Sequence, residues 1–544
     1  VDAVAKNNST SFYGNLVALS ESPLVEGLLY AGTDDGLIQV TESDGQSWRR
    51  IERFSGVPEM TYVSDIEASL HDADTVYAAL NNHKRADFKP YLVKSTDRGR
   101  SWRSIAGDLP QRGSVYAVAE DHVDPDLLFA GTEFGVFFTI DGGTHWIELT
   151  GGMPTIAVRD IEIQRRESDL VLASFGRGFF ILDDYSPLRG IDKDELQREA
   201  LLFPVKTAWM YIPRHRLGIP AKGFQGDGYF LADNPPFGAI FTYYLRDDLE
   251  SGTARRRREE EQATEEGRPL RYPSWEELRA EDWEQEPSLI LTIEDEDGQV
   301  VRRLSGPVEA GFHRVAWDLR YPAPDPTDLS EPEDPAPWDT EPRGPMVAPG
   351  RFRVSLAKRI DGQITPLAGP GSFEAVPLVN ATLPASDRQS LEAFQRKTSK
   401  MQRAVLGSIR AVEQAQERLD HLAQAIHDTP GATGGLADRV VELDRRLKQL
   451  RVVLEGDETI ASRSEPTTPS LAERVQRIIG GHWSSTSVPT ETHARNYAIA
   501  ARQLGELLPA LQQLIEVDLT RVESDVEAAG GPWTPGRVPR WDDD

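Results

Sequence analysis

The first third of the chain is written in short runs of apolar and β-branched residues, each closed by Gly, Asp or Ser. Residues 15–53 give NLVALSES, LLYAGTDDG, LIQVTESDG and QSWRRIERF, which read as four strands ending in turns. The series returns over 62–105 (YVSDIEASL, TVYAALNNH, YLVKSTDRG, RSWRSI) and over 114–149 (SVYAVAEDH, LLFAGTEFG, VFFTIDGG, THWIEL). A fourth unit, 157–183, reads AVRDIEIQ, DLVLASFGRG and FFILDD, then stops with no closing Trp strand. Four consecutive strands make one propeller blade, so the pattern predicts four blades with the last incomplete. Its missing strand is expected from sequence before Val1 or from LLFPVKTAWMYI, residues 201–212. Four blades fall short of a usual ring of at least ~6 and leave open edges. The chain therefore reads as the later part of a larger propeller protein.

Each complete repeat ends in one turn motif. The copies are Thr41-x-Ser43-Asp44-Gly45-x-Ser47-Trp48, Ser95-x-Asp97-x-Gly99-x-Ser101-Trp102 and Thr139-x-Asp141-x-Gly143-x-His145-Trp146. The tryptophans are 54 and 44 residues apart, the longer step holding the NNHKRADFKP excursion at 81–90. In such a turn the acid satisfies backbone amides, Gly takes the positive φ, and Trp plugs the gap between neighbouring sheets. All three tryptophans are expected to be largely buried. The motif resembles the Asp-box of sialidase-like and sortilin-like β-propellers. GTDDGLIQVTESDGQSW, KPYLVKSTDRGRSW, LLFAGTEFGVFFTIDGG and ASFGRGFFILDDYSPLR, all within 12–190, are similar to a bacterial family described as sortilin-like or BNR-repeat "glycosyl hydrolase" proteins. The likeness continues more loosely through 234–245, 296–304, 311–321 and 348–356. It implies further blades in an exported N-terminal half, and the hydrolase description rests on fold analogy.

Beyond residue 190 the pattern changes twice. From 191 to 380 fewer and longer strands alternate (GAIFTYYL, SLILTIEDEDGQVVRRL with an Asp297-Gly298 turn, HRVAWDLRY, GRFRVSLAK), which predicts an immunoglobulin- or fibronectin-like β-sandwich. Two polar inserts interrupt it. Residues 250–285 carry RRRREEE and a short helix opened by Ser274-x-x-Glu277, and 325–345 are rich in Pro and acid. From 381 to 531 apolar positions step by three and four. Ser386 is the expected cap of a helix running through Leu391, Met401, Val412 and Leu422, and Leu436 to Leu454 carry the next. These helices predict an antiparallel bundle, with Pro509 kinking the last and 532–544 left as an acidic tail.

Composition narrows the chemistry. Across 544 residues the net charge is −28, which argues against nucleic acid, since phosphate recognition needs a basic surface. There are 0 cysteines, so disulfides and thiolate metal sites are unavailable. The ten histidines show no metal spacing, and the acidic insert lacks regular calcium-ligand spacing, so neither a metal nor a cofactor is expected. No stretch approaches the ~20 apolar residues of a membrane span. Val1 is not an initiator Met, and an export signal is expected upstream, giving a secreted or periplasmic protein.

Propeller geometry sorts the candidate residues by face. The start of each innermost strand and the turn between second and third strands lie on the ligand face, opposite the Asp-boxes. That places Asp65, Arg159 and Asp160 at the channel mouth, with Asp34, Asp35, His83, Lys84, Arg85, Glu133 and Arg177 around the rim. Asp65 and Asp160 both open an Asp-Ile-Glu strand and are the candidate carboxylate pair for glycoside hydrolysis. The plainer reading is that each satisfies turn amides, with Arg159 a candidate donor to Asp160, and recurs because blades recur. The leading expectation is a propeller that binds a peptide, protein or glycan without catalysis in this fragment. A glycoside hydrolase is the alternative and a structural assembly module the third. The missing propeller half, from the same protein or a partner chain, is an expected partner.

Overall fold

The computed structural model describes residues 14–192, 194–214, 232–330, 341–379 and 384–538. It divides into two compact units, Val1–Arg198 and Glu199–Asp544.

In the first unit the repeats fold as consecutive antiparallel meanders. Strands β1 (Leu16–Glu21), β2 (Leu29–Thr33), β3 (Ile38–Thr41) and β4 (Arg49–Ile51) form one sheet in that order. The next sheet holds β5 (Tyr62–Ala68), β6 (Val76–Asn82), β7 (Asp87–Ser95) and β8 (Arg103–Ser104). The third holds β9 (Val115–Glu120), β10 (Leu128–Thr132), β11 (Gly135–Thr139) and β12 (Ile147–Glu148). A three-stranded sheet ends the series with β13 (Val158–Gln164), β14 (Asp169–Ser174) and β15 (Phe179–Leu182). The first strand of each sheet packs beside the first strand of the next, β1 on β5, β5 on β9 and β9 on β13. This is the blade arrangement of a β-propeller, with three apolar cores lying between the four blades.

Each turn motif is a closed hydrogen-bond cage. Asp97 Oδ1 accepts from the N–H groups of Arg100 and Ser101 at 2.8 Å each, and Asp141 Oδ1 accepts from Thr144 and His145. Gly45, Gly99 and Gly143 all have positive φ, and their N–H groups donate to the hydroxyls of Thr41, Ser95 and Thr139. In the first copy Ser43 stands at the acid position, so its hydroxyl alone takes the Ser47 N–H.

Trp102 and Trp146 each pack on the blade before their own. Trp102 is 9% exposed within the core shared with Tyr30, Ile38 and Val40, its ring edge-on to Phe54 at 5.5 Å. Trp146 is 7% exposed and donates from Nε1 to Ile105 O at 2.9 Å. Trp48 is 45% exposed, against expectation, because among the described residues no blade precedes its own. The fourth blade solves the absence of a Trp strand differently. Residues 201–212 pair within the second unit, so they do not complete it. Instead Tyr185 swings onto Phe129 of blade three, edge-on at 5.0 Å, and donates its hydroxyl to buried Asp121 at 2.5 Å. Arg189 grips the same carboxylate from Nε and Nη2.

The second unit begins with two sheets around one core that holds Phe241, Tyr243, Leu291, Trp317 and Phe373. Strands β16 (Ala200–Leu202), β18 (Ala239–Leu245) and β21 (Gly311–Trp317) form one sheet in that order. The other runs β17 (Ala208–Met210), β23 (Gln363–Pro377), β22 (Gly350–Ile360), β19 (Ser288–Glu294) and β20 (Val300–Gly306). Pairing is antiparallel apart from β17 with β23. The first insert is more helical than its charge suggests. Helices α1 (Gly252–Glu265) and α2 (Trp275–Trp283, opened by the Ser274/Glu277 capping box) are clamped by Arg256 on Glu281. Residues 331–340 of the second insert and 539–544 of the acidic tail lie outside the described residues.

Helices α3 (Arg388–His427), α4 (Gly434–Glu455), α6 (Leu471–His482), α7 (Glu491–Gln512) and α8 (Thr520–Ala528) share one leucine-rich core, while the single turn α5 (Glu458–Ala461) buries no residue. The cap of α3 is Asp387, one residue past the expected Ser386, because its carboxylate reaches the Ser390 N–H. After Pro509 the chain widens into a π-helical stretch, Gln513–Leu519, before α8. Bundle and sheets belong to one unit. Buried Arg320 donates to Trp483 O, and Tyr321 donates its hydroxyl to Glu392.

Candidate functional site

The inner strands of all four blades bulge at the same repeat position. The register slips between Leu16 and Ala18, Val63 and Asp65, and Val158 and Asp160, and opposite Gly131 and Thr132 in blade three. The extra residues are therefore Val17, Ser64, Tyr116 and Arg159. A bulge re-aims one side chain out of the pleat. Here it brings Tyr116 and Arg159 together from adjacent blades, the guanidinium carbon 3.7 Å from the ring centroid. Phe175, in the turn between β14 and β15, has its ring centroid 5.1 Å from the same guanidinium carbon.

The rim completes this cluster. Tyr116 donates its hydroxyl to Glu133, and burial with that bond pushes the phenol up to about 12. Arg159 Nη2 stands 3.8 Å from Glu133. The His83 ring packs edge-on to Tyr116 at 6.2 Å, and burial together with nearby Arg159 holds the imidazole below its usual range. Thus His83, Glu133 and Arg159 meet at one place. Four other rim candidates serve local structure. Asp34 takes the N–H groups of Gly14 and Asn15, and Asp35 takes the Thr33 hydroxyl. Lys84 lies 5.3 Å over the Tyr62 ring, and Arg85 donates to Glu59 O. Arg177 is exposed in the β14–β15 turn. Tyr116 and Phe175 escaped the sequence reading, although Tyr116 occupies the same repeat position as Arg159.

Below the rim the inner strands line an acidic cavity of about 200 Å³, walled by Asp65, Glu67, Glu120, Asp160, Glu162 and Arg165. Its carboxylates divide by partner. Asp65 accepts the Val118 N–H at 2.9 Å and Glu67 accepts the Glu120 N–H at 3.2 Å, both from the next blade. Glu120 is buried on the Ser69 and Tyr77 hydroxyls. Asp160 accepts only the N–H of its own neighbour Ile161 among the bonds described, and Arg159 stacks on Tyr116 instead of serving it. Burial pushes Asp65 up to about 6; the Val118 N–H opposes the shift and the Asp160 charge adds to it. Burial and the Asp65 charge raise Glu67 well above the usual carboxylate range. The arrangement can hold a cation-rich or hydroxyl-rich group in the throat and an anionic group at Arg159. Among the described residues no group of three or more His, Asp or Glu is arranged to hold a metal ion, and no helix is long and apolar enough to cross a membrane.

No family model matches the chain, and no curated protein matches it. Solved structures with propeller folds resemble parts of it. YCF48 from Cyanidioschyzon merolae aligns at 16% identity over 31% of this chain and 53% of that one, with a TM-score of 0.25. YCF48 bound to D1 peptide aligns at 15% identity over 32% and 52%, also with a TM-score of 0.25. An ancestral GH74 enzyme aligns at 12% identity over 43% of this chain and 28% of that one, with a TM-score of 0.27. The chain spans about half the length of the YCF48 structures it matches.

Proposed function

We propose that this chain is a ligand-binding, sortilin-like Asp-box propeller that takes a peptide, protein or glycan at the channel mouth and performs no catalysis in this fragment. The observation that carries the reading is the rim cluster. Two adjacent bulges present Tyr116 and Arg159 beside Glu133 and His83, where a guanidinium set over an aromatic ring has N–H groups to offer a ligand carboxylate or amide. The proposal includes further blades to complete the ring, an immunoglobulin-like sandwich in the second unit, and export from the cell.

A binding screen tests it. Fluorescence polarisation against acidic, neutral and basic peptide sets is expected to select carboxylate-bearing peptides. Arg159→Ala and Tyr116→Ala should each weaken binding tenfold or more, the scale of a charge-assisted contact. Unchanged affinity in both variants overturns the reading. One observation favours hydrolysis as a second reading: Asp65, raised to about 6, shares its cavity with Asp160, as a general acid and its partner would. Turnover of a chromogenic glycoside that is lost in Asp65→Asn and in Asp160→Asn, with folding intact, selects that reading instead.

A further inference from the structure

The chain carries 88 acids against 60 lysines and arginines, yet one stretch of helix runs the other way. Between Arg388 and Arg410, helix α3 holds Arg388, Arg396, Lys397, Lys400, Arg403 and Arg410, with Glu392 as its one acid. Arg396, Lys400 and Arg403 stand at i, i+4 and i+7, so they share a face within about 10 Å along the helix. That face lies opposite the stripe of Leu391, Thr398 and Val405 that the bundle buries. Lys400 and Arg403 are exposed, and among the described residues they make no hydrogen bond or ion pair. Like charges at this spacing repel one another. In a chain so rich in acids, their isolation calls for a counter-charge from outside.

The three cations rim a cavity of about 200 Å³ whose other wall is Tyr321, Pro322, Pro324 and Pro345. Two paired segments fix that wall. The Tyr321 N–H donates to Pro345 O and the Val347 N–H to Leu319 O, both at 2.9 Å. Gly344 lets the segments close, since a Cβ there would stand 2.2 Å from Tyr321 O. Arg396 is set in advance, its guanidinium carbon 4.9 Å from the Tyr321 ring centroid and Nη1 3.9 Å from Glu392. The neighbouring acids are engaged elsewhere or stand aside. Glu392 accepts the Tyr321 hydroxyl, Asp328 takes Arg410 at 3.1 Å, and Asp325 does not line the cavity. Beside the wall, buried Arg320 donates to Gly344 O and Trp483 O and has no ion pair among the described residues.

Two guanidinium forks and one ammonium match the three terminal oxygens of a phosphate. A phosphate monoester carries about −1.5 to −2 at pH 7, where a carboxylate or a sulfate ester brings a single charge. The proline and tyrosine wall offers an organic group an apolar surface, and a volume below the ~300–1,000 Å³ of drug-sized sites keeps that group small. We infer that the groove between α3 and residues 321–324 binds a small phosphate monoester, its phosphate on Arg396, Lys400 and Arg403 and its organic part against Tyr321 and the prolines. The site lies wholly in the second unit and does not depend on the propeller reading.

Isothermal titration calorimetry of the full chain with phenyl phosphate tests this. One saturable site is expected, tighter for phenyl phosphate than for inorganic phosphate, phenyl sulfate or benzoate. Lys400→Gln and Arg403→Gln should each weaken it tenfold or more with unchanged far-UV circular dichroism, since both side chains are exposed. Arg445→Gln on α4, which breaks only a surface pair with Glu442, should leave the affinity unchanged. Absence of saturable binding overturns the inference. So does equal weakening in all three variants, or equal affinity for phenyl sulfate. A peptide carrying phosphotyrosine separates the sources of the same chemistry: weaker binding than phenyl phosphate identifies a free ester, and tighter binding a phosphate borne on a protein.

Discussion

Trp102→Ala and Trp48→Ala make the sharpest test of the blade interfaces, because the two residues hold the same repeat position in opposite surroundings. A buried Trp removes about 200 Å² from water, worth about 5 kcal/mol at ~25 cal/mol/Å². Trp102 is 9% exposed, donates from Nε1 to Gly99 O at 3.1 Å and meets Phe54 edge-on. Its truncation should cost roughly 3–5 kcal/mol, the range for large-to-small core changes. Trp48, with nearly half its surface in water, should cost about 1–2 kcal/mol. The assay is urea denaturation read by hydrogen-exchange mass spectrometry on peptides within 15–53 and 62–105, which isolates the blades from the second unit. Equal losses in the two variants would refute the reasoning that the tryptophan acts on the preceding blade.

Further outcomes follow from the same geometry. Tyr185→Phe keeps the ring on Phe129 but removes a donor from buried Asp121, and should destabilise blade four by about 1–2 kcal/mol in thermal melts; no change would mean that Arg189 alone satisfies the carboxylate. The first unit should lose stability as pH rises through the weakly acidic range. Asp65 and Glu67 are raised by burial, so their contribution is complete below the ordinary carboxylate range and is lost as pH rises through about 6 for Asp65. Asp65→Asn should flatten that decline by on the order of 1–3 kcal/mol, and an unchanged pH profile would count against it. At the other end, burial pushes Asp97 and Asp141 up but the hydrogen bonds of their turns outweigh it and hold both near 2. Their contribution is present above the ordinary carboxylate range and falls away as pH drops toward about 2, which acid titration by circular dichroism should show.

The blade strands were legible in the sequence because each is local: a run of four to eight apolar residues, a turn residue, and a Trp at a fixed offset carry their own structural instructions. The turn motif was legible for the same reason, its hydrogen bonds spanning at most six residues. The helix faces from Leu391 to Leu454 were equally plain, since a repeat of three and four fixes one buried stripe without reference to a partner. Tertiary structure decided everything that depends on which surface meets which. Trp48, Trp102 and Trp146 share one motif, yet only two are buried, because burial needs a blade on the preceding side. The substitution of Tyr185 for a fourth-strand Trp joins residues 64 positions apart at Asp121. Arg159 looked like a donor for Asp160, its neighbour in sequence, but a one-residue bulge turns the two side chains apart and sends Arg159 to Tyr116. Such a bulge marks the sequence only as buried residues three apart (Val63 and Ile66, Val158 and Ile161) instead of two, which does not say what the re-aimed side chain meets. The candidate site is therefore made of residues the sequence supplied and an arrangement that only the packing of adjacent inner strands set.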